Sequence, residues 1–271
     1  MKLQICSAVL VVALFGSCRS TRQATVETQP SQDKLVMAVA WYQNSAEMAA
    51  LYYQGFNMAG QRLDEAVTRN QAGKPLAVVV DIDETMLDNS PFETQVINNA
   101  DFATGWKNWT TKAIAKALPG ALEFANYAKS KQVDIFYITN RDDSERAGTL
   151  KNLQNEGFPY ATEDHLLTKS DLSATTGNTS SKAGRRSKVA ENHEVILLIG
   201  DNLNDFSEMF ENRSSNNGKE AVANNRNMFG QKFIVLPNPM YGAWEKPLYD
   251  YREGLSDTEK TRLLKSKLKA E

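Results

Sequence analysis

The sequence predicts an α/β fold: a doubly wound parallel sheet carrying a small helical, aromatic cap insertion. Three observations point there. Four short apolar runs rich in β-branched residues recur along the chain, helical stretches separate them, and acidic or hydroxyl residues directly follow three of them. An apolar run without polar alternation marks a strand covered on both faces, and the runs fall at 76–80, 133–138, 195–199 and 233–236. Helical stretches are expected at 120–130, at 145–156 with Gly157 closing it, and at 185–192. Upstream, Asn44 with Glu47 three residues later reads as a capped start. Met48, Tyr52, Phe56, Ala59, Leu63 and Val67 then recur at three- and four-residue steps, so the N-terminal helices span 34–70 with this stripe in the core. Residues 86–118 break the alternation. They are rich in aromatics (Phe92, Phe102, Trp106, Trp109) without clean periodicity and read as the cap above the sheet. Stretches 168–181 and 212–227 read as polar loops, and 257–270 as a short helix with Leu263, Leu264 and Leu268 on one face.

At 271 residues the chain is long enough for one large domain with an insertion, at roughly 150 residues per domain. Its 31 basic and 33 acidic residues leave a formal charge of −2, which gives no field to hold a nucleic acid polymer. Two cysteines and two histidines are too few for a Cys/His zinc cage. His165 and His193 match no motif and read as structural. Chemistry therefore falls to carboxylates, hydroxyls, amines or a hard metal ion.

Lys2 and the apolar stretch 5–15 have the form of a secretory signal, too short for the roughly 20 residues of a membrane-spanning helix. The stretch ends in Leu14-Phe-Gly-Ser-Cys18, similar to a bacterial lipoprotein cleavage box in which the cysteine is acylated. The expectation is a signal over 1–17, a lipidated Cys18, a polar tether over 18–33 and a catalytic domain over 34–271. The protein would be lipid-anchored in the cell envelope, at a bacterial outer membrane, with ordinary secretory cleavage as the alternative.

Ligands of open parallel sheets lie at the carboxyl ends of the strands. The first run empties into Asp81-Ile-Asp83-Glu84-Thr85, the second into Thr139-Asn140-Arg141, and the third into Gly200-Asp201-Asn-Leu-Asn-Asp205. Converging carboxylates repel one another and stay ionised only beside a cation, and oxygen-only ligands point to Mg²⁺. Mg²⁺ with a nucleophilic carboxylate suits phosphoryl transfer. Asp81 is expected to attack phosphorus, Asp83 to act as acid and then base, Thr139 to donate to phosphoryl oxygens, and Lys182 to neutralise their charge. Asp201 completes the metal shell, Asp205 ligates or orients from behind, and Asn140 and Arg185 support. The alternatives are turn and cap roles for the aspartates and Thr139, a solvated loop charge for Lys182, and surface ion pairs for Arg141 and Arg185.

Asp81-Ile-Asp-Glu-Thr-Met-Leu-Asp-Asn-Ser90 and Gly200-Asp-Asn-Leu-Asn-Asp-Phe206 resemble the two signature blocks of the class C acid phosphatases, the outer-membrane lipoprotein e family of the haloacid dehalogenase (HAD) superfamily. Shorter similarities lie at Trp41 to Glu47, Pro119-Gly120, Ile138 to Arg141, Ser181-Lys182 with Arg185, Leu236-Pro-Asn238 and Tyr241 to Glu245, so the resemblance runs from about residue 33 onward. It implies a Rossmann-like HAD fold and an Mg²⁺-dependent phosphomonoesterase acting on nucleoside monophosphates and other small esters. The implied metal ligands are Asp81, the backbone carbonyl of Asp83, and Asp201. An aromatic clamp for the leaving group is also implied, with Trp106, Trp109 and Tyr241 as candidates and core packing as the alternative for each. A homodimer is compatible with it. Transfer of the phosphoryl group to an alcohol, or nucleotide binding without turnover, are the competing readings.

Overall fold

The computed structural model describes residues 32–70, 73–98, 101–171 and 180–270. The expected signal and Cys18 lie outside the described residues, as does the expected tether up to residue 31. Among the described residues no helix is long and apolar enough to cross a membrane.

Two helices come first, α1 (Gln32–Asn44), which begins inside the stretch read as tether, and α2 (Ala46–Arg69). Asn44 does not cap α2. It is the last residue of α1, and its side-chain amide donates back to the Ala40 carbonyl. Ser45 has the extended backbone a cap needs, and its hydroxyl accepts from the Met48 amide at 3.1 Å. The stripe of Met48, Tyr52, Phe56, Ala59 and Leu63 is buried, as the periodicity requires.

The main sheet consists of β1 (Leu76–Val80), β4 (Asp134–Ile138), β5 (Leu166–Leu167), β6 (Glu194–Gly200) and β7 (Phe233–Val235). Its spatial order is β5-β4-β1-β6-β7 and every pairing is parallel. The two-residue β5 is too short to register as an apolar run. From β1 the chain builds outward through β4 to β5, then crosses back to β6 on the other side and on to β7. The topological switch point thus lies between β1 and β6, where a crevice opens at the carboxyl ends.

Side chains alternate between two layers. Leu76, Val78 and Val80 join a core with α2 and with α5 (Ala121–Ser130), while Ala77 and Val79 join a second core with Val189 of α7 (Ala183–Asn192), Phe206 and Phe210. Helices therefore cover both faces, as a doubly wound sheet demands. At the start of α5, Gly120 has φ of +80°, and a Cβ there would lie 3.2 Å from Tyr53 and 3.3 Å from Phe56. The Pro119-Gly120 pair lets this turn close against α2.

The cap is helical. It is closed at its base by β2 (Leu87–Asp88) pairing antiparallel with β3 (Lys116–Ala117), and between them rise α3 (Ser90–Ile97) and α4 (Phe102–Lys112). Phe92 packs edge-on to Trp106 at 5.2 Å, and Phe102 stacks parallel to Trp106 at 6.3 Å. Helix α1 packs against α3 from behind. Two further helices are α6 (Arg146–Asn155) and, within the stretch expected to be loop, α8 (Lys219–Asn224). The six residues of α8 are too few and too polar to show periodicity. The tail helix α9 (Asp257–Lys267) is capped by Ser256 and Glu259 in a reciprocal box.

Leu63 is fully buried where α2 meets the sheet core. Leu63→Ala is expected to lower unfolding stability by about 2–5 kcal/mol and Ser45→Ala by about 1 kcal/mol, measured by urea denaturation.

Candidate active site

The site begins where β1 and β6 end side by side. The Asp81 amide donates to the Ile199 carbonyl at 2.9 Å, so the parallel ladder runs one residue past β1 and fixes Asp81 beside Gly200 and Asp201. Gly200 has no alternative. A Cβ there would stand 2.3 Å from the Asp205 carboxyl, which folds back over the strand end. Asp205 closes a single 3-10 turn, Leu203–Asp205, and its Oδ2 accepts from the Asn202 amide at 2.9 Å. Carboxyl oxygens of Asp81, Asp201 and Asp205 come within 4.8 Å of one another.

Lys182 occupies the position just before α7 and is only 4% exposed. Its Nζ lies 2.7 Å from Asp205 Oδ1 and also pairs with Asp81 Oδ1. Burial works against the ammonium, but the Asp205 and Asp81 carboxylates outweigh it and raise the Lys182 pKa. Burial pushes Asp81 up to about 7, against the pull of Lys182 and with the help of the Asp205 and Asp83 charges. Asp201 is raised well above the usual carboxylate range by burial, then by Asp205 and Asp81. A hydrogen bond from Asn238 at 2.8 Å works in the other direction. Two of these acids, Asp81 and Asp205, share one ammonium, Asp201 stands beside them, and the donors are all oxygen. This set fits a hard divalent cation. Asp205 spends one oxygen on Lys182 and the other on Asn202, whereas Asp81 meets Lys182 through Oδ1 and Oδ1 of Asp201 meets only the Thr85 hydroxyl at 3.5 Å, so Asp81 and Asp201 keep the greater freedom to ligate.

Asp83 stands apart from that trio. Arg141 grips its Oδ1 through Nε at 3.0 Å and through the terminal nitrogen at 2.7 Å, and the Asn89 amide donates to the same oxygen at 2.8 Å. The Thr139 hydroxyl faces Oδ2 at 3.4 Å and accepts from the Arg141 amide at 3.1 Å. Arg141 is therefore no surface ion pair; it is buried, and its guanidinium lies 5.4 Å from the Trp106 ring centroid. Nor is Arg185, which at 1% exposure donates to the Thr139 carbonyl, to Asn140 Oδ1 at 2.7 Å and to the Ser181 carbonyl at 3.1 Å. It ties the end of β4 to the segment that carries Lys182.

The acids, Lys182 and Arg141 line a cavity of about 360 Å³, with Arg185 and Thr139 behind its wall. Asp81, Asp83, Lys182, Asp201 and Asp205 form one part of its wall; Asn140, Phe102, Trp106 and Tyr241 form another. Trp109 is a correction. It is 6% exposed, lies outside this lining, and donates its indole N–H to Asn89 Oδ1 at 2.8 Å, which holds the amide that grips Asp83. The ring that sequence reasoning missed is Phe102, 56% exposed and at the cavity wall. Its one-turn offset from Trp106 on a helix was the available signal. Asn238 was also missed as a partner of Asp201, although Leu236-Pro-Asn238 follows the last strand. A larger hollow of about 640 Å³ between Arg62, Arg69, Glu194 and Lys232 sits at the amino end of β6, remote from these acids. His193 pairs with Asp134 at 3.0 Å and His165 stacks on Phe136 at the amino end of β4, both outside the site.

The sign of the pH dependence follows from the raised carboxyls. Between about 3.8 and 7 the folded chain keeps a proton on Asp81 that the unfolded chain releases. Stability is therefore lost as pH rises through that window when no divalent ion is present. Thermal melts in metal-free buffer are expected to show a falling midpoint over this range, and millimolar Mg²⁺ is expected to raise the midpoint more at the alkaline end. A midpoint indifferent to Mg²⁺ at every pH would contradict the ion-binding reading of the acids.

A family model described as HAD superfamily, subfamily IIIB (acid phosphatase) matches residues 8–244. The fold is similar to a class C acid phosphatase from Bacillus anthracis, with a TM-score of 0.81 and 40% identity over 89% of this chain and 99% of that one. The same protein with tungstate bound gives 0.80 and 39% over the same shares. Among plant proteins, acid phosphatase 1 of Solanum lycopersicum is 26% identical over 60% of this chain, and a stem 28 kDa glycoprotein of Glycine max is 28% identical over 47%. The chain spans 57% and 51% of those two proteins' lengths. With the acids, the lysine and the sheet topology in place, the chain belongs to the HAD superfamily, subfamily IIIB, the acid phosphatase family of phosphoric monoester hydrolases.

Proposed function

We propose that this protein hydrolyses small phosphate monoesters, nucleoside monophosphates among them, in an Mg²⁺-dependent reaction that passes through a phosphoaspartate. The observation that carries this reading is the convergence of Asp81, Asp201, Asp205 and Lys182 at the switch point of the sheet, with Asp83 held separately beside them. Tungstate, a tetrahedral oxyanion, is bound in the similar Bacillus anthracis phosphatase, which supports an oxyanion site in this fold.

An Mg²⁺ ion held by Asp81, Asp201 and the Asp83 carbonyl would neutralise phosphoryl charge and keep the acids ionised. The chain's own groups do the rest. Asp81 attacks phosphorus through a carboxylate oxygen as the ester P–O bond breaks, and Lys182 balances charge on the phosphoryl oxygens. Asp83 supplies a proton to the departing alkoxide. Water then attacks the phosphoaspartate, loses a proton to Asp83, and releases phosphate with Asp81 restored. Arg141 and Asn89 hold Oδ1 of Asp83 at 2.7 and 2.8 Å, whereas Oδ2 meets Arg141 Nε and the Thr139 hydroxyl at the longer distances of 3.3 and 3.4 Å, so Oδ2 is the oxygen with more freedom to exchange a proton. Phe102, Trp106 and Tyr241 would hold an aromatic leaving group by stacking, which suits a range of bases because each has a π-face. The lipoprotein-like Leu14-to-Cys18 stretch supports attachment to the cell envelope through an acylated Cys18.

Asp81→Asn is expected to lower kcat by about 10³-fold or more while leaving the melting curve cooperative, and chelation by EDTA to abolish turnover until Mg²⁺ is returned. Arg141→Met, which frees Asp83, is expected to lower kcat by roughly 10–100-fold. Phosphate release from a nucleoside monophosphate, a sugar phosphate and an aryl phosphate measures all three. Turnover that persists both in Asp81→Asn and in EDTA rules the mechanism out.

A further inference from the structure

Glu93 has a place in the cavity wall that none of the steps above uses. It lies one turn into α3, is 5% exposed, and lines the cavity together with Phe102, Trp106 and Tyr241. No hydrogen bond or ion pair joins its carboxyl to another described residue. Its one charged neighbour of note, Glu245, has the same sign and is itself satisfied by the Gly242 amide at 3.1 Å. Burial first, and Glu245 second, push Glu93 up to about 7. Its oxygens keep contact with the solvent of the hollow they line, so a ligand that covers them there must replace the lost water with donors of its own. Nothing in the packing of α3 calls for an acid here, because the neighbouring Phe92 already provides the apolar contact to Trp106.

We propose that Glu93 is a specificity determinant for the leaving group, its carboxyl accepting ring-edge N–H donors of an aromatic base stacked along Phe102, Trp106 and Tyr241. The inference rests on the phosphomonoesterase reading and adds to it a residue that selects among its leaving groups. A guanine edge presents two adjacent N–H groups to the two oxygens of a carboxylate, whereas a nitrophenyl ring presents none. A site built to bond N–H groups discriminates strongly against a ring lacking them, because the acid is then left buried and unpaired. Stacking alone gives no such preference.

The test compares the intact protein with the isosteric Glu93→Gln variant on guanosine monophosphate and 4-nitrophenyl phosphate. The ratio of kcat/KM for the nucleotide over that for the aryl ester is expected to fall by about 10-fold or more, through KM for the nucleotide. Equilibrium dialysis of guanosine, which carries no phosphate, is expected to show weaker binding to the variant by a similar factor. An unchanged ratio together with equal guanosine affinity overturns the proposal. If the intact protein releases phosphate from neither ester, the catalytic reading fails instead, and the guanosine measurement still decides whether Glu93 recognises a base.

Discussion

One ammonium group shared between two buried carboxylates organises this molecule. Lys182 reaches Asp81 and Asp205 at once, across a sequence separation of about a hundred residues in one direction. Asp201 is close enough to add a third negative charge. Ionised acids buried at such density are unfavourable unless cations neutralise them, and a single lysine leaves the cluster negative. The cluster is thus an electrostatic cost to the fold and, among the described residues, a group of acids arranged to hold an ion. Its neighbours make sense as devices for holding like charges together.

Each acid of the site is gripped by a polar group from a different segment. Arg141 and Asn89 hold Asp83, and Asn89 is held in turn by Trp109. Asn238 holds Asp201, Arg185 ties the loop after β4 to the Lys182 segment, and the Tyr52 hydroxyl donates to the Glu84 carbonyl in the turn after β1. Glu84 has φ of +54°, a left-handed backbone that persists only when its surroundings enforce it. Buried donors from α2 and from the start of α3 do so, the latter through the Asn89 amide to Glu84 Oε1 at 2.9 Å. Such cross-bracing fixes positions to the tolerance that chemistry at phosphorus requires.

The walls of the cavity come from two parts of the chain. The acids come from strand ends of the sheet, whereas the aromatic wall comes from α4 and from the loop after β7, together with Glu93 of α3. The sheet carries the acids and the helical insertion carries most of the rings that face them across the cavity. The stacked pair Phe102–Trp106, with Arg141 beside the Trp106 ring, joins the two parts where Arg141 grips Asp83.

Apolar runs and the acids after them were legible in the chain because both are local. A strand buried on two faces must be continuously apolar, and ligands of a parallel sheet must follow it, so 76–80, 195–199 and their aspartates could be read without a structure. The helical stripe from Met48 to Leu63 was legible for the same reason. Other features depend on partners distant in sequence. Whether an arginine such as Arg141 or Arg185 is exposed or buried, which of Trp106, Trp109 and Phe102 faces the cavity, and which acid of four stands apart with its own guanidinium are all settled by packing. The sequence by itself determined the fold class, the strand ends and the chemical kind of the site. Which charges neutralise one another and which rings line the cavity came from the tertiary structure alone, because burial and pairing are properties of neighbours in space, and the chain records only neighbours in order.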